Sequence, residues 1–241
     1  MDKNPAPNES AESVAQPGEL APVRPIDPRQ RAAMMLDALG FPVPDVDELD
    51  AGLIPQESDE GTEHLEATIL GSNRVWDGGF LHVDEVELKM PNGDVVTHEV
   101  LRHPGAVAII AVNEAGQVLL VRQWRTTLER VTLEIPAGKL EPGEDPQECA
   151  LRELQEETGY SAGSIRYLIP VACAAGYSDE IIHIYLASKL QPGVAHPDQD
   201  EFVEPLWMDL NELVDMVLDG RIEDSKTIIG ALAWDAIASR L

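Results

Sequence analysis

The chain has 241 residues, 44% of them hydrophobic, and its 44 acidic against 17 basic side chains give a formal net charge of -27. That length suits one sizeable core with an appendage, and so negative a field repels nucleic-acid backbones and anionic lipid surfaces, which sets aside DNA-binding and membrane-surface roles. The two cysteines, Cys149 and Cys173, make neither a disulfide scaffold nor a CxxC site, so a cytoplasmic location is expected.

In chain order, Met1–Gln16 holds no apolar run, so neither a signal peptide nor a transmembrane span is read there. Residues 1–64 carry 14 acidic and 4 basic side chains and 9 of the 18 prolines. They are expected to form a largely disordered extension, because so little apolar content cannot offset the entropy of ordering. Within it Ala32, Met35, Leu36 and Leu39 fall at helical spacing before Gly40, which predicts a short helix over 28–39.

From Leu65 the pattern becomes dense. Phe80–Met90 and Val95–Leu101 read as strands joined at Asn92-Gly93, and Ala106–Val112 and Val118–Trp124 as strands joined by Asn113–Gly116. Val131–Ile135 is a strand that enters the turn-rich loop Pro136–Pro146, and Gln147–Thr158 is a helix ended by Gly159. Ile165–Cys173, Ile181–Ala187 and Phe202–Met208 are further strands; Leu210–Leu218 and Lys226–Arg240 are helices, the second capped by Asp224 and Ser225. Hairpins with few helices predict an α+β fold, an α/β/α sandwich with helices on the faces of a mixed sheet. Residues 65–241 form this domain, with an N-terminal antiparallel hairpin region over about 65–103 and a core over about 104–241.

The helix Gln147–Thr158 carries the chemistry. At about 100° per residue, Glu153, Glu156 and Glu157 share one arc while Leu151, Leu154 and Thr158 share another. Three carboxylates on one arc are tolerable on a solvated surface, and an acidic solvated face is one reading of them. In a cleft they repel one another and call for a hard cation such as Mg2+ or Mn2+. The preceding loop, with Pro136, Gly138, Pro142 and Gly143, could bring backbone carbonyls beside them, and Arg152 can tie Glu156 or Glu144 into position.

The segment Gly138–Tyr160 resembles a Nudix box, GX5EX7REUXEEXGU, through Gly138, Glu144, Arg152, Glu153, Leu154, Glu156, Glu157 and Gly159; Tyr160 departs from the last aliphatic position. The resemblance implies the Nudix fold and metal-dependent hydrolysis of a nucleoside diphosphate linked to another moiety. It further implies that Glu153, Glu156, Glu157 and the Ala137 carbonyl ligate Mg2+ or Mn2+, that Arg152 orients the glutamates, and that Glu144 braces the loop.

Beyond the box the chain is similar to the ADP-ribose pyrophosphatase group of that family, through THEVLRH at Thr97–His103, GAVAII at Gly105–Ile110, RQWR at Arg122–Arg125, LEIPAGK at Leu133–Lys139, AGYSDE at Ala175–Glu180 and DEFVE at Asp200–Glu204. This implies that Arg125 touches substrate phosphates and that Glu201, on a loop after the box, positions or deprotonates the attacking water. Glu99 and Arg102 match positions that reach the adenine across a homodimer interface, Phe80 an aromatic that stacks on the base, and Gly176 a substrate-side glycine. Ala175 stands where that group often has proline, which loosens the substrate assignment. Lys139 joins Arg102, Arg122 and Arg125 as local cations for an anionic substrate. The expected activity is cleavage of ADP-ribose or a similar nucleotide sugar to AMP and a sugar phosphate. GDP-mannose or another nucleotide sugar is the alternative substrate, and a non-catalytic ADP-ribose sensor the alternative of another class.

Overall fold

The computed structural model describes residues 61–197 and 201–239; the helix expected over 28–39 and the rest of residues 1–60 lie outside them. After a 3-10 turn at Glu63–Leu65 come β1 (Thr68–Asp77), β2 (His82–Lys89) and β3 (Val95–Arg102), an antiparallel meander in that spatial order. The β2–β3 turn falls at Asn92-Gly93 as predicted: Gly93 takes φ 92°, where a side chain would be strained, and the Asn92 side-chain amide donates to Asp94 at 2.6 Å. Strand β1 was not expected. Its ten residues are all exposed and its pairing with β2 slips between Ile69 and Gly71 and between Arg74 and Trp76, so no alternation of apolar and polar residues marks it.

The body follows: β4 (Ala106–Ala111), β5 (Gln117–Arg125), β6 (Arg130–Glu134), β7 (Ala137–Lys139), α1 (Pro146–Thr158), β8 (Tyr160–Ala172), β9 (Ile181–Pro192), β10 (Glu204–Asp209), α2 (Leu210–Leu218) and α3 (Ser225–Ala238). One sheet runs β7-β4-β9-β8, with β4 and β9 parallel and the other pairs antiparallel. A second runs β10-β5-β6, antiparallel throughout. Every residue of β4 is buried, because Val107, Ile109 and Ala111 face Leu154, Cys149 and Ala150 of α1 while Ala106, Ala108 and Ile110 face Ala231 and Trp234 of α3. A strand covered on both faces reads as an unbroken apolar run, and the sandwich of helix, sheet and helix is the expected one. Each such Ile or Leu contributes roughly 2 kcal/mol by leaving water.

The meander is fastened to the body at one end. Leu101 donates its amide to the Tyr177 carbonyl at 2.7 Å and accepts from Asp179 at 3.2 Å. Arg102 bridges the two parts, with Nε on Asp84 at 3.0 Å and Nη1 on Asp179 at 3.1 Å. Among the described residues no helix is long and apolar enough to cross a membrane.

Candidate active site

Helix α1 begins where Asp145 accepts from the amides of Gln147 and Glu148, at 2.9 and 3.3 Å, with Pro146 in its first turn. It ends at Gly159, whose φ of 77° is the left-handed cap. The segment after β9 lies against that end: a Cβ on Gly159 would stand 2.8 Å from the Ala195 nitrogen, and the His196 amide donates to the Glu156 carbonyl at 2.9 Å.

Between these two ends the helix turns its carboxylates toward β7, three residues paired with β4 inside the stretch read from sequence as a loop. The Ala137 amide donates to Glu157 Oε2 at 3.0 Å. One residue on, Gly138 lies so close to Glu153 that an added Cβ would sit 1.8 Å from its carboxyl carbon. Glu157 is 3% exposed and its carboxyl is pushed up to about 8, chiefly by burial and then by Glu153 and Glu201, against the pull of the Ala137 amide. Glu153, 9% exposed, is raised by burial in the same way, with Arg152 opposing.

Arg152 organises the rest. Its Nε and Nη2 grip both oxygens of Glu144 at 2.8 and 2.9 Å, and its Nη1 reaches Glu153 at 2.8 Å and Glu156 at 3.0 Å. That fork holds Glu144 at about 2, with help from the Glu141 amide, which donates to the same carboxylate at 2.9 Å. The loop before α1 is thereby tied to the helix's second turn. Cys149, buried beside this cluster, has its thiol pushed up to about 12 by burial and stays a packing residue.

A cavity of about 550 Å3 opens over these carboxylates. Its wall includes Ala137, Gly138, Lys139, Arg152, Glu153, Glu156, Glu157 and Glu201, together with Arg125 and Phe80. Lys139 places its ammonium 4.1 Å from the Phe80 ring centre, a cation on an aromatic face at the cavity's rim. Arg125 lies against Glu134, Nε to Oε1 at 2.8 Å and Nη2 to Oε2 at 2.6 Å.

Thus most of the site residues expected from sequence share one cavity. Glu99, Arg102 and Gly176 do not line it: Glu99 is exposed on β3 opposite Glu85, Arg102 is engaged by Asp84 and Asp179, and Gly176 lies in the turn after β8. Two residues that sequence reasoning passed over stand at its back. Glu134, 2% exposed and held at about 2 by Arg125 and Lys226 against its burial, lies in the segment LEIPAGK, where no local pattern marks it. Lys226 lines the cavity from the first turn of α3; a lone lysine opening a mostly apolar helix is the available signal.

As a donor set, Glu153, Glu156, Glu157 and the Ala137 carbonyl suit a hard divalent cation, since all are oxygens and burial and neighbouring carboxylates destabilise both buried charges, Glu156 and Glu201 acting on Glu153, and Glu153 and Glu201 on Glu157. Among the described residues no three acidic, histidine or cysteine side chains already stand at mutual ligating distance; Arg152 occupies an oxygen of both Glu153 and Glu156.

A model of the NUDIX domain matches residues 102–229. The chain is 48% identical over 151 residues to a protein named methanol dehydrogenase activator from Bacillus methanolicus, covering 62% of this chain and 80% of that one. It is 41% identical over 167 residues to an ADP-ribose pyrophosphatase from Bacillus subtilis (strain 168), covering 68% and 89%. Among solved structures it resembles an ADP compounds hydrolase with a TM-score of 0.63 at 25% identity, over 71% of this chain and 94% of that one.

Proposed function

Because this chain belongs to the Nudix family, we propose that it hydrolyses the pyrophosphate bond of ADP-ribose, or of a closely similar nucleoside diphosphate sugar, to AMP and a sugar phosphate. The observation that carries this reading is that the buried Glu153 and Glu157 line the same cavity as Arg125 and Lys139. Acidic oxygens suited to a cation and side-chain cations suited to phosphate in one cavity support it.

Held by Glu153, Glu156, Glu157 and the Ala137 carbonyl, Mg2+ or Mn2+ would neutralise phosphate oxygens and lower the pKa of the attacking water. The chain's own groups do the rest. Arg152 fixes Glu153 and Glu156 while Glu144 fixes Arg152. Arg125 and Lys139 bind the pyrophosphate, which the net charge of -27 would otherwise repel. Phe80, half exposed at the rim, offers a face for the base. Glu201, on the same cavity wall, positions the attacking water or takes its proton. No covalent nucleophile is needed.

The deciding experiment is AMP release from ADP-ribose, ADP-glucose, NADH and diadenosine polyphosphates, with GMP release from GDP-mannose, each with and without Mg2+. Metal-dependent turnover highest on ADP-ribose is the expected result. Higher turnover on GDP-mannose would replace the substrate, and binding of ADP-ribose without turnover would make the protein a sensor.

The reading includes a cytoplasmic homodimer. Ile69, Leu70, Val75 and Trp76 are exposed along β1 at the edge of the meander, a strand edge and apolar surface suited to a second copy, and Glu99 and Arg102 of this sheet would then meet the partner's substrate. Light scattering on the full chain should give twice its 26.3 kDa; a monomer at working concentration would remove both residues from the site.

A further inference from the structure

Lys226 has no part in the roles set out above, although it is 6% exposed and belongs to the cavity wall. Its ammonium donates to Glu134 and, at 2.9 Å, to Asp224 Oδ1. Asp224 also caps α3, accepting from the Thr227 amide at 2.9 Å and the Thr227 hydroxyl at 2.5 Å. The same hydroxyl oxygen accepts from the Ile135 amide at 2.9 Å. The first turn of α3 is therefore bonded to the end of β6 that carries Glu134.

The charges in this cluster balance: Glu134 and Asp224 face Arg125 and Lys226. Glu134 already engages Arg125 through both its oxygens and accepts from the Thr132 hydroxyl at 2.6 Å. A carboxylate paired edge-on with an arginine cancels most of that arginine's field at any third charge, here an incoming phosphate. A second cation on the same carboxylate gives the field back. Without Lys226 the cluster would carry a net negative charge beside the place where a pyrophosphate has to rest.

We propose that Lys226 is a positioning residue for substrate phosphate that acts through Arg125: it takes up the charge of Glu134, so that the Arg125 guanidinium keeps a net positive field toward the cavity. This rests on the reading above that Arg125 meets the pyrophosphate of a nucleoside diphosphate.

The test is steady-state kinetics of full-length variants on ADP-ribose with Mg2+. Lys226→Met should raise KM about tenfold, the effect of one unit of charge at a partly screened site, with kcat within about threefold of the parent. Adding Glu134→Gln removes the charge that Lys226 neutralises, and the double variant should return KM to within about threefold of the parent. The double variant leaves no unpaired carboxylate at position 134, so it also serves if the single variant does not fold. An unchanged KM in Lys226→Met overturns the proposal. So does a double variant as impaired as the single one, which would make Lys226 a direct ligand or a purely structural residue. Parent enzyme inactive on every substrate would instead defeat the proposed function, and an unaltered KM in Arg125→Ala would defeat the assignment of Arg125.

Discussion

Replacing Glu157 by glutamine should lower kcat on the order of 10³-fold while leaving the melting temperature unchanged or raised. The two halves of that expectation have separate causes. Glutamine keeps an oxygen that can accept the Ala137 amide, now at 3.0 Å from Glu157 Oε2, so the join between α1 and β7 survives. It removes a charge whose burial the folded protein resists, as the rise of this carboxyl to about 8 shows. What it cannot do is balance the charge of a divalent cation, the group that would offset the negative charge on the pyrophosphate. Steady-state kinetics at saturating Mg2+ and a thermal melt of the same sample check both halves. Full turnover would take Glu157 out of the reaction, and lost turnover with a melt lowered by ten degrees or more, at about 2–4 °C per kcal/mol for a chain of this size, would make it a fold residue.

The second large effect is expected one strand away. At Gly138 an added Cβ would lie 1.8 Å from the carboxyl carbon of Glu153 and 2.0 and 2.3 Å from its two oxygens. The obstacle is the far end of a side chain, so Gly138→Ala should fold, but only by pushing the Glu153 carboxylate away from β7 and off the Arg152 bond of 2.8 Å. A displacement of about 1 Å in a reacting constellation costs on the order of 10²-fold in rate, and a loss of that size is expected in kcat. Since the glycine acts through Glu153, the variant combined with Glu153→Gln should be no slower than the slower of the two alone. Losses that multiply would mean that Gly138 serves the reaction by another route.

Glu157 is legible in the sequence because a helix repeats every 3.6 residues and puts Glu153, Glu156 and Glu157 on one arc whatever surrounds them; Gly138 is legible only through its place in the box. The far end of α1 is legible for a local reason too, through Gly159, whereas its Asp145 cap and Pro146 start lie in the stretch read from sequence as loop. Strand β4 announced itself by being covered on both sides. Strand β1 could not, since exposure on both faces leaves no period to read and its two slips interrupt what alternation there is. Strand β7 was hidden in a stretch whose prolines and glycines signal turns, although Gly138 is there for close approach to Glu153. The bond between Glu134 and Lys226 joins residues 92 apart, and that between Arg102 and Asp179 residues 77 apart; pairing at such separations writes no pattern into either segment. Sequence therefore yielded the acidic half of the cavity and the arginine facing it, and left the charges behind that arginine to be found in three dimensions.

The amide of His196 bonded to the last full turn of α1 limits how far Glu201 can travel. Glu201 follows His196 by five residues and precedes the first paired residue of β10, Glu204, by three. Fully stretched chain spans at most about 3.6 Å per residue, so this carboxylate's backbone stays within roughly 18 Å of one anchor and roughly 11 Å of the other. The first anchor is the carbonyl of Glu156 itself. The group assigned to the water and the groups assigned to the cation are thus tethered to a common point on α1. Lengthening the leash between 196 and 204 is then a way to uncouple them without altering any residue that touches substrate.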